Sequence, residues 1–110
     1  MPRFAVLAHD FSIPHWDLFL EAGPVLRSWR LNSLPVADSR VRAEPMPDHR
    51  LLYLDYEGPV SGGRGSVARV DAGEFVWEAD KPHRIVVRLS GSRYIGRLTL
   101  ERGTCLFHPS

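Results

Sequence analysis

The chain has 110 residues, 44% of them apolar and 25% charged, with a formal net charge of +1. That is one domain, residues 1–110, with enough apolar content for a real core. A lone cysteine, Cys105, excludes an internal disulfide and fits a reducing compartment. The apolar run Phe4 to Ala8 is too short for a signal peptide or a membrane span, so a soluble, cytoplasmic protein is expected. Thirteen of the fourteen basic residues are Arg, with Lys81 the exception. Arginine pairs bidentately with phosphate, which suits a phosphate-handling surface; an Arg-rich codon usage explains the bias equally well.

In chain order, Arg3 to Ala8 reads as a first strand with His9 at its end. Ser12-Ile13-Pro14 breaks direction, because proline cannot donate to a ladder and restricts the residue before it. A second strand runs from His15 to Glu21. Ala22-Gly23-Pro24 turns it into a third, Val25 to Leu31, predicting a hairpin. Asn32 to Asp48 holds Pro35, Pro45 and Pro47 without a strong period and reads as a surface connection with one short helical turn. Leu51 to Leu54 is a brief apolar run, and Ser61 to Ser66 is a glycine-dense loop. Val67 to Val70 and Glu74 to Glu78 flank Asp71-Ala72-Gly73, which predicts a compact hairpin turn. His83 to Leu89 alternates, as does Tyr94 to Glu101, and Arg102-Gly103 turns the chain into Cys105-Leu106-Phe107. With about seven or eight short strands and little helix, the expectation is an all-β, compact antiparallel barrel or sandwich.

One stretch concentrates chemistry. His9, His15 and Asp17 fall within nine positions. Strand side chains at i and i+2 point the same way, ~6.5–7 Å apart along the chain. His15 and Asp17 therefore share a face, with Trp16, Leu18 and Leu20 on the other as core. His9 can return to that face across a short loop. Two imidazole nitrogens and a carboxylate suit a divalent metal with open coordination positions, although a histidine at a strand end is more often a surface or core residue.

Other groups carry less. Gly62-Gly63-Arg64-Gly65 lacks the lysine and helix of a P-loop; it reads as a plain turn, or as a loop presenting backbone N–H groups and Arg64 to phosphate. Arg84, Arg88 and Arg97 form either a basic stripe or a solvated face paired with Glu101. His83 reads as structural, His108 as part of a frayed tail, and Cys105 as a small buried hydrophobe without a base partner.

The motifs, taken together, resemble the 3′-phosphoesterase domain of bacterial ligase D. They begin with Arg3-Phe4, His9-Asp10, His15-Trp16-Asp17-Leu18 and Gly23-x-Val25-Leu26-Arg27-Ser28-Trp29. Asp48-His49, Tyr53, Asp55-Tyr56-Glu57-Gly58, Gly65-Ser66-Val67 and Asp71-x-Gly73 follow, then Arg88-Leu89-x-Gly91 with Gly96-Arg97. The resemblance covers nearly the whole chain, as a free-standing member of that family.

It implies a β-barrel that removes a 3′-phosphate or a 3′-terminal ribonucleoside from nucleic-acid ends in DNA repair, with Mn²⁺ as cofactor. By motif, His9, His15 and Asp17 are the expected metal ligands, and His49 and Tyr53 the expected catalytic groups at the scissile phosphate. Implied partners are nucleic-acid 3′ ends and a separate DNA ligase or polymerase, with no membrane. The chain departs from the pattern at three polar positions. Phe19 stands where the family has a phosphate-binding arginine, Ser33 near its lysine, and Pro47 at its acidic residue. Arg64 or Arg30 would then have to hold the phosphate. The alternative is a catalytically weakened module that binds nucleic-acid ends or a repair partner.

Overall fold

The computed structural model describes all 110 residues. Nine strands form one antiparallel sheet: β1 (Arg3–His9), β2 (His15–Ala22), β3 (Val25–Leu31), β4 (Arg40–Arg50), β5 (Gly58–Pro59), β6 (Ser66–Lys81), β7 (Arg84–Gly91), β8 (Ile95–Glu101) and β9 (Thr104–Pro109). The order is β1-β2-β3-β4-β9-β8-β7-β6-β5, and β6 pairs back to β1. The ring closes, as expected of a barrel, and leaves an open edge along the later part of β4. Helix is confined to a 3-10 turn, Leu51–Leu54. No helix is long and apolar enough to cross a membrane.

The wall formed by β1 to β3 is buried on both sides. Inward lie Phe4, Val6, Leu18, Leu20, Trp29 and Leu31, part of a 17-residue core. Outward, Ala5, Leu7, Phe19 and Leu26 join Leu54 and Val67 in a second cluster, with Tyr53, Tyr56 and Val60 packed against it. The covering segment is held down at both ends. Arg3 donates both terminal nitrogens to Asp55 at 3.2 and 2.6 Å, which holds the Asp55 carboxyl below its usual range. Arg69 N–H donates to Glu57 at 2.8 Å.

Two expectations fail. Asn32 to Asp48 is not simply a surface connection, because β4 begins within it at Arg40, and no helical turn occurs there. Only Val41 and Ala43 point into the core, too small a signal to show a period. Residues 44–50 pair with β3 alone, while β9 takes Arg40 to Arg42 and the Ala43 N–H donates to the Gly103 carbonyl at 2.8 Å. Pro45 and Pro47 thus lie on a free edge, where a missing N–H costs no ladder bond.

Asp71-Ala72-Gly73 is likewise no hairpin turn. It lies inside the 16-residue strand β6, where the pairing passes from β1 to β7. Asp71 is buried and accepts three N–H groups, from Ser92, Arg93 and Tyr94 at 3.0, 3.0 and 2.7 Å. Gly73 is required by close approach: a Cβ there would sit 2.3 Å from the Ser90 carbonyl oxygen.

Candidate metal centre and groove

The site begins with a register. His9 closes β1 and His15 opens β2, directly opposite each other, with ring centroids 4.7 Å apart. Cross-strand partners project to the same face, so the outer face of the wall carries His9, His15 and Asp17 together. The Asp17 carboxylate lies between the rings, Oδ2 3.3 Å from His9 Nδ1 and Oδ1 3.4 Å from His15 Nε2. The ligand atoms of the three residues lie within 4.8 Å of one another.

Backbone carbonyls set the imidazole tautomers. His9 Nε2 is 2.8 Å from the Arg64 carbonyl oxygen, and His15 Nδ1 is 3.0 Å from that of Ile13. A carbonyl only accepts, so each of these nitrogens carries a proton and the ring's other nitrogen, a lone pair in the form that binds metal, faces Asp17. His15 Nε2 is buried without a hydrogen-bond partner. Three acceptors facing one another lack a positive centre, and histidines fixed from behind by carbonyls are the usual support of a metal ligand set. The residues present fit a divalent cation.

His9 depends on a loop that is itself clamped. Asp10 accepts the Ser66 N–H at 2.7 Å and stands 3.4 Å from the Ser66 hydroxyl. The Ser66 amide is the main reason its carboxyl is held below the ordinary value of 3.8. Gly65, at φ +71, passes so close that a Cβ would lie 2.3 Å from Asp10 Oδ1. The Gly-rich loop thus turns a carbonyl, not a row of N–H groups, toward the site. The Arg64 guanidinium folds back onto the Ser61 carbonyl and hydroxyl at 2.8 and 3.3 Å.

All seven residues expected at the site line one groove of about 210 Å³: His9, His15, Asp17, Arg30, His49, Tyr53 and Arg64. Arg30 lies opposite Asp17 on β3 and joins no ion pair. His49 Nδ1 donates to the Pro47 carbonyl at 2.9 Å, so Pro47, which has no carboxylate, orients the histidine through its backbone. Phe19 is 1% exposed, its ring 5.0 Å from that of His49 and 6.2 Å from that of Tyr53. It is a floor, not a phosphate contact. Ser33 is exposed, just beyond the end of β3.

The remaining candidates are accounted for elsewhere. Arg88 and Arg97 both reach Glu78, and Arg84 reaches Glu101, so the stripe is an ion-paired sheet face. His108 pairs with Asp38 and His83 is exposed. Burial pushes the Cys105 thiol up to about 12, far from a nucleophile's range. Reading the sequence missed Asp10 and the carbonyls of Ile13, Pro47 and Arg64. Only Asp10 left a signal, as a carboxylate directly after a ligand histidine.

Residues 7–102 match the family described as DNA Ligase D 3'-phosphoesterase domain. The "Multifunctional non-homologous end joining DNA repair protein LigD" of Mycobacterium tuberculosis is 34% identical over 108 residues, covering 90% of this chain. The "Multifunctional non-homologous end joining protein LigD" of Pseudomonas aeruginosa is 35% identical over 78 residues, covering 69%. The aligned parts span only 14% and 9% of those two relatives. With this match over most of its length, the chain belongs to the DNA ligase D 3′-phosphoesterase domain family.

Proposed function

We propose that the protein is a metal-dependent phosphoesterase that acts on the 3′ ends of nucleic acid, removing a 3′-phosphate or a 3′-terminal ribonucleoside during end joining. The observation that carries this reading is the convergence of His9 Nδ1, His15 Nε2 and the Asp17 carboxylate, with both rings locked so that bare acceptors face inward. A divalent ion held there, Mn²⁺ by family, would polarise a phosphoryl oxygen and lower the pKa of a coordinated water. The chain's own groups do the rest. His49, fixed through Nδ1, would act as the imidazolium and donate its Nε2–H to a phosphoryl oxygen, and Tyr53 offers a hydroxyl. Arg30 brings the free guanidinium of the groove. Arg64 acts through its carbonyl, by orienting His9. The reaction proceeds in the cytoplasm on DNA ends, in company with a ligase or polymerase activity.

A second reading, a catalytically weakened module that binds ends or a repair partner, is favoured by one observation: Phe19 is an apolar floor where a charge-assisted phosphate contact would otherwise form. Incubation with Mn²⁺ and a 3′-phosphate primer, a 3′-ribonucleoside primer or a mononucleotide separates the readings. A 3′-hydroxyl product that is lost in His15→Ala is the expected result. Uptake of Mn²⁺ with no turnover of any substrate would favour the binding module, and failure to take up a divalent ion would sink the phosphoesterase reading.

A further inference from the structure

A second depression, of about 460 Å³, adjoins the groove and shares Phe11, His15 and Arg30 with it. One side is the loop between β1 and β2, which holds out Phe11 and Ile13, 39% and 79% exposed. Phe11 and Ile13 give an otherwise polar cleft an apolar wall. The Phe11 ring lies 6.1 Å from that of His9 at an interplanar angle of 28°, which places an aromatic face beside the candidate ligands. The other side brings Arg30, Asn32 and Arg42.

Charge decides what this depression suits. Neither Arg30 nor Arg42 joins an ion pair. Glu44 is the only carboxylate in the lining, so two guanidiniums stand against one acid. A third depression also touches His15, but it contains Asp10 and no cation. Of the two ways off the ligand cluster, only one combines free guanidiniums with an exposed aromatic ring. Those are the two features by which a single strand is held, phosphate on arginine and base on ring.

We infer that this depression binds the terminal nucleoside, the one whose 3′ oxygen carries the reacting phosphate, with its base against Phe11 and its 5′-phosphodiester on Arg42. Arg30 stands between that phosphodiester and the metal ligands. The inference rests on the proposed function and narrows its substrate: an oligonucleotide end makes the Arg42 contact, whereas a nucleoside 3′-monophosphate lacks the second phosphate.

Fluorescence anisotropy of the whole protein with a 5′-fluorescein DNA strand of about a dozen nucleotides ending in a 3′-phosphate tests this. EDTA keeps the mixture free of turnover. Arg42→Ala should weaken binding and flatten the plot of log affinity against log salt by ~0.7, one single-strand phosphate contact, while Arg42→Lys keeps the slope. Phe11→Ala should weaken binding about ten-fold with the slope unchanged, and Phe11→Tyr should restore it. No measurable binding by the wild-type protein overturns the inference, as does binding by both alanine variants within two-fold of wild type, or an unchanged slope in Arg42→Ala. Mn²⁺ uptake, followed separately by electron paramagnetic resonance, keeps the two readings apart. Strand binding through Phe11 and Arg42 in a protein that takes up no Mn²⁺ would leave the depression standing and remove the phosphoesterase.

Discussion

Asp17→Asn tests the ligand set through stability as well as activity. In the metal-free protein the carboxylate faces two imidazole nitrogens at 3.3 and 3.4 Å, three acceptors when both rings are in their metal-binding form. Asparagine replaces one oxygen with an NH₂ group, which can donate to one of those nitrogens. A net hydrogen bond is worth about 0.5–1.5 kcal/mol. For 110 residues the unfolding entropy is roughly 0.23 kcal/mol per degree, so the metal-free variant should melt about 2–6 °C above wild type. With metal the order reverses. Mn²⁺ at a hundred times its dissociation constant stabilises wild type by about 2.7 kcal/mol, or roughly 12 °C. A hundred-fold loss of affinity leaves the variant about 0.4 kcal/mol, or roughly 2 °C. The assay is a thermal melt at pH 8, above the ordinary imidazole range, with EDTA or Mn²⁺. A metal-free variant that melts at or below wild type would refute the assigned tautomers. A variant that keeps the full Mn²⁺ shift would refute Asp17 as a ligand.

Three further outcomes are expected. Phe19→Arg removes a ring that is 1% exposed and should cost about 3–5 kcal/mol, lowering the melting temperature by roughly 15 °C. At temperatures where the variant is folded, its turnover of a 3′-phosphate primer should rise about ten-fold or more, the effect of one charge-assisted contact. Gly65→Ala forces a Cβ to within 2.3 Å of Asp10 Oδ1 and should weaken Mn²⁺ binding by moving the Arg64 carbonyl off His9. Gly63→Ala has a similar φ, +67, with nothing within 4 Å; it should cost only about 1 kcal/mol of backbone strain and leave Mn²⁺ binding unchanged. The Asp10 carboxyl is held below 3.8, chiefly by the Ser66 amide, so its clamp is fully present above that value and lost as pH falls through the lower, folded-state value. The melting-temperature advantage of wild type over Asp10→Asn should accordingly shrink in that window and not at neutral pH.

What the sequence showed and what it hid follow one division. Strands with an alternating stretch were legible: in β7, Ile85, Val87 and Leu89 oppose Arg84 and Arg88, and in β8, Leu98 and Leu100 oppose Arg97 and Glu101. β4 was not, since Val41 and Ala43 alone mark its inner face and Pro45 and Pro47 argue against a strand until its free edge is known. Asp71-Ala72-Gly73 failed for a related reason. Its local chemistry is that of a turn, but the partners of Asp71 are 21 to 23 residues away, beyond any local window. At the site, the candidate ligand side chains could be named because few residue types bind metal. The carbonyls that aim them could not, because every residue has one.

The double burial of the β1–β3 wall joins the two unusual features of the site. A strand's side chains repeat every two residues, so a slip of one position would exchange the faces of β2. A wall with a single core would hold its register from Leu18 and Leu20 alone. Here Phe19 supplies a second anchor on the opposite side, against Leu26 and Leu54, and it follows Asp17 two places along the same face. A side chain buried at that position fixes where Asp17 and His15 stand; an arginine there would need its charge in the groove and would give up that anchor. Phe19, which offers no phosphate contact, is therefore the residue that firms the candidate ligand set. This is why Phe19→Arg is expected to move rate and stability in opposite directions, whereas loss of a merely degenerate position would be repaired without cost.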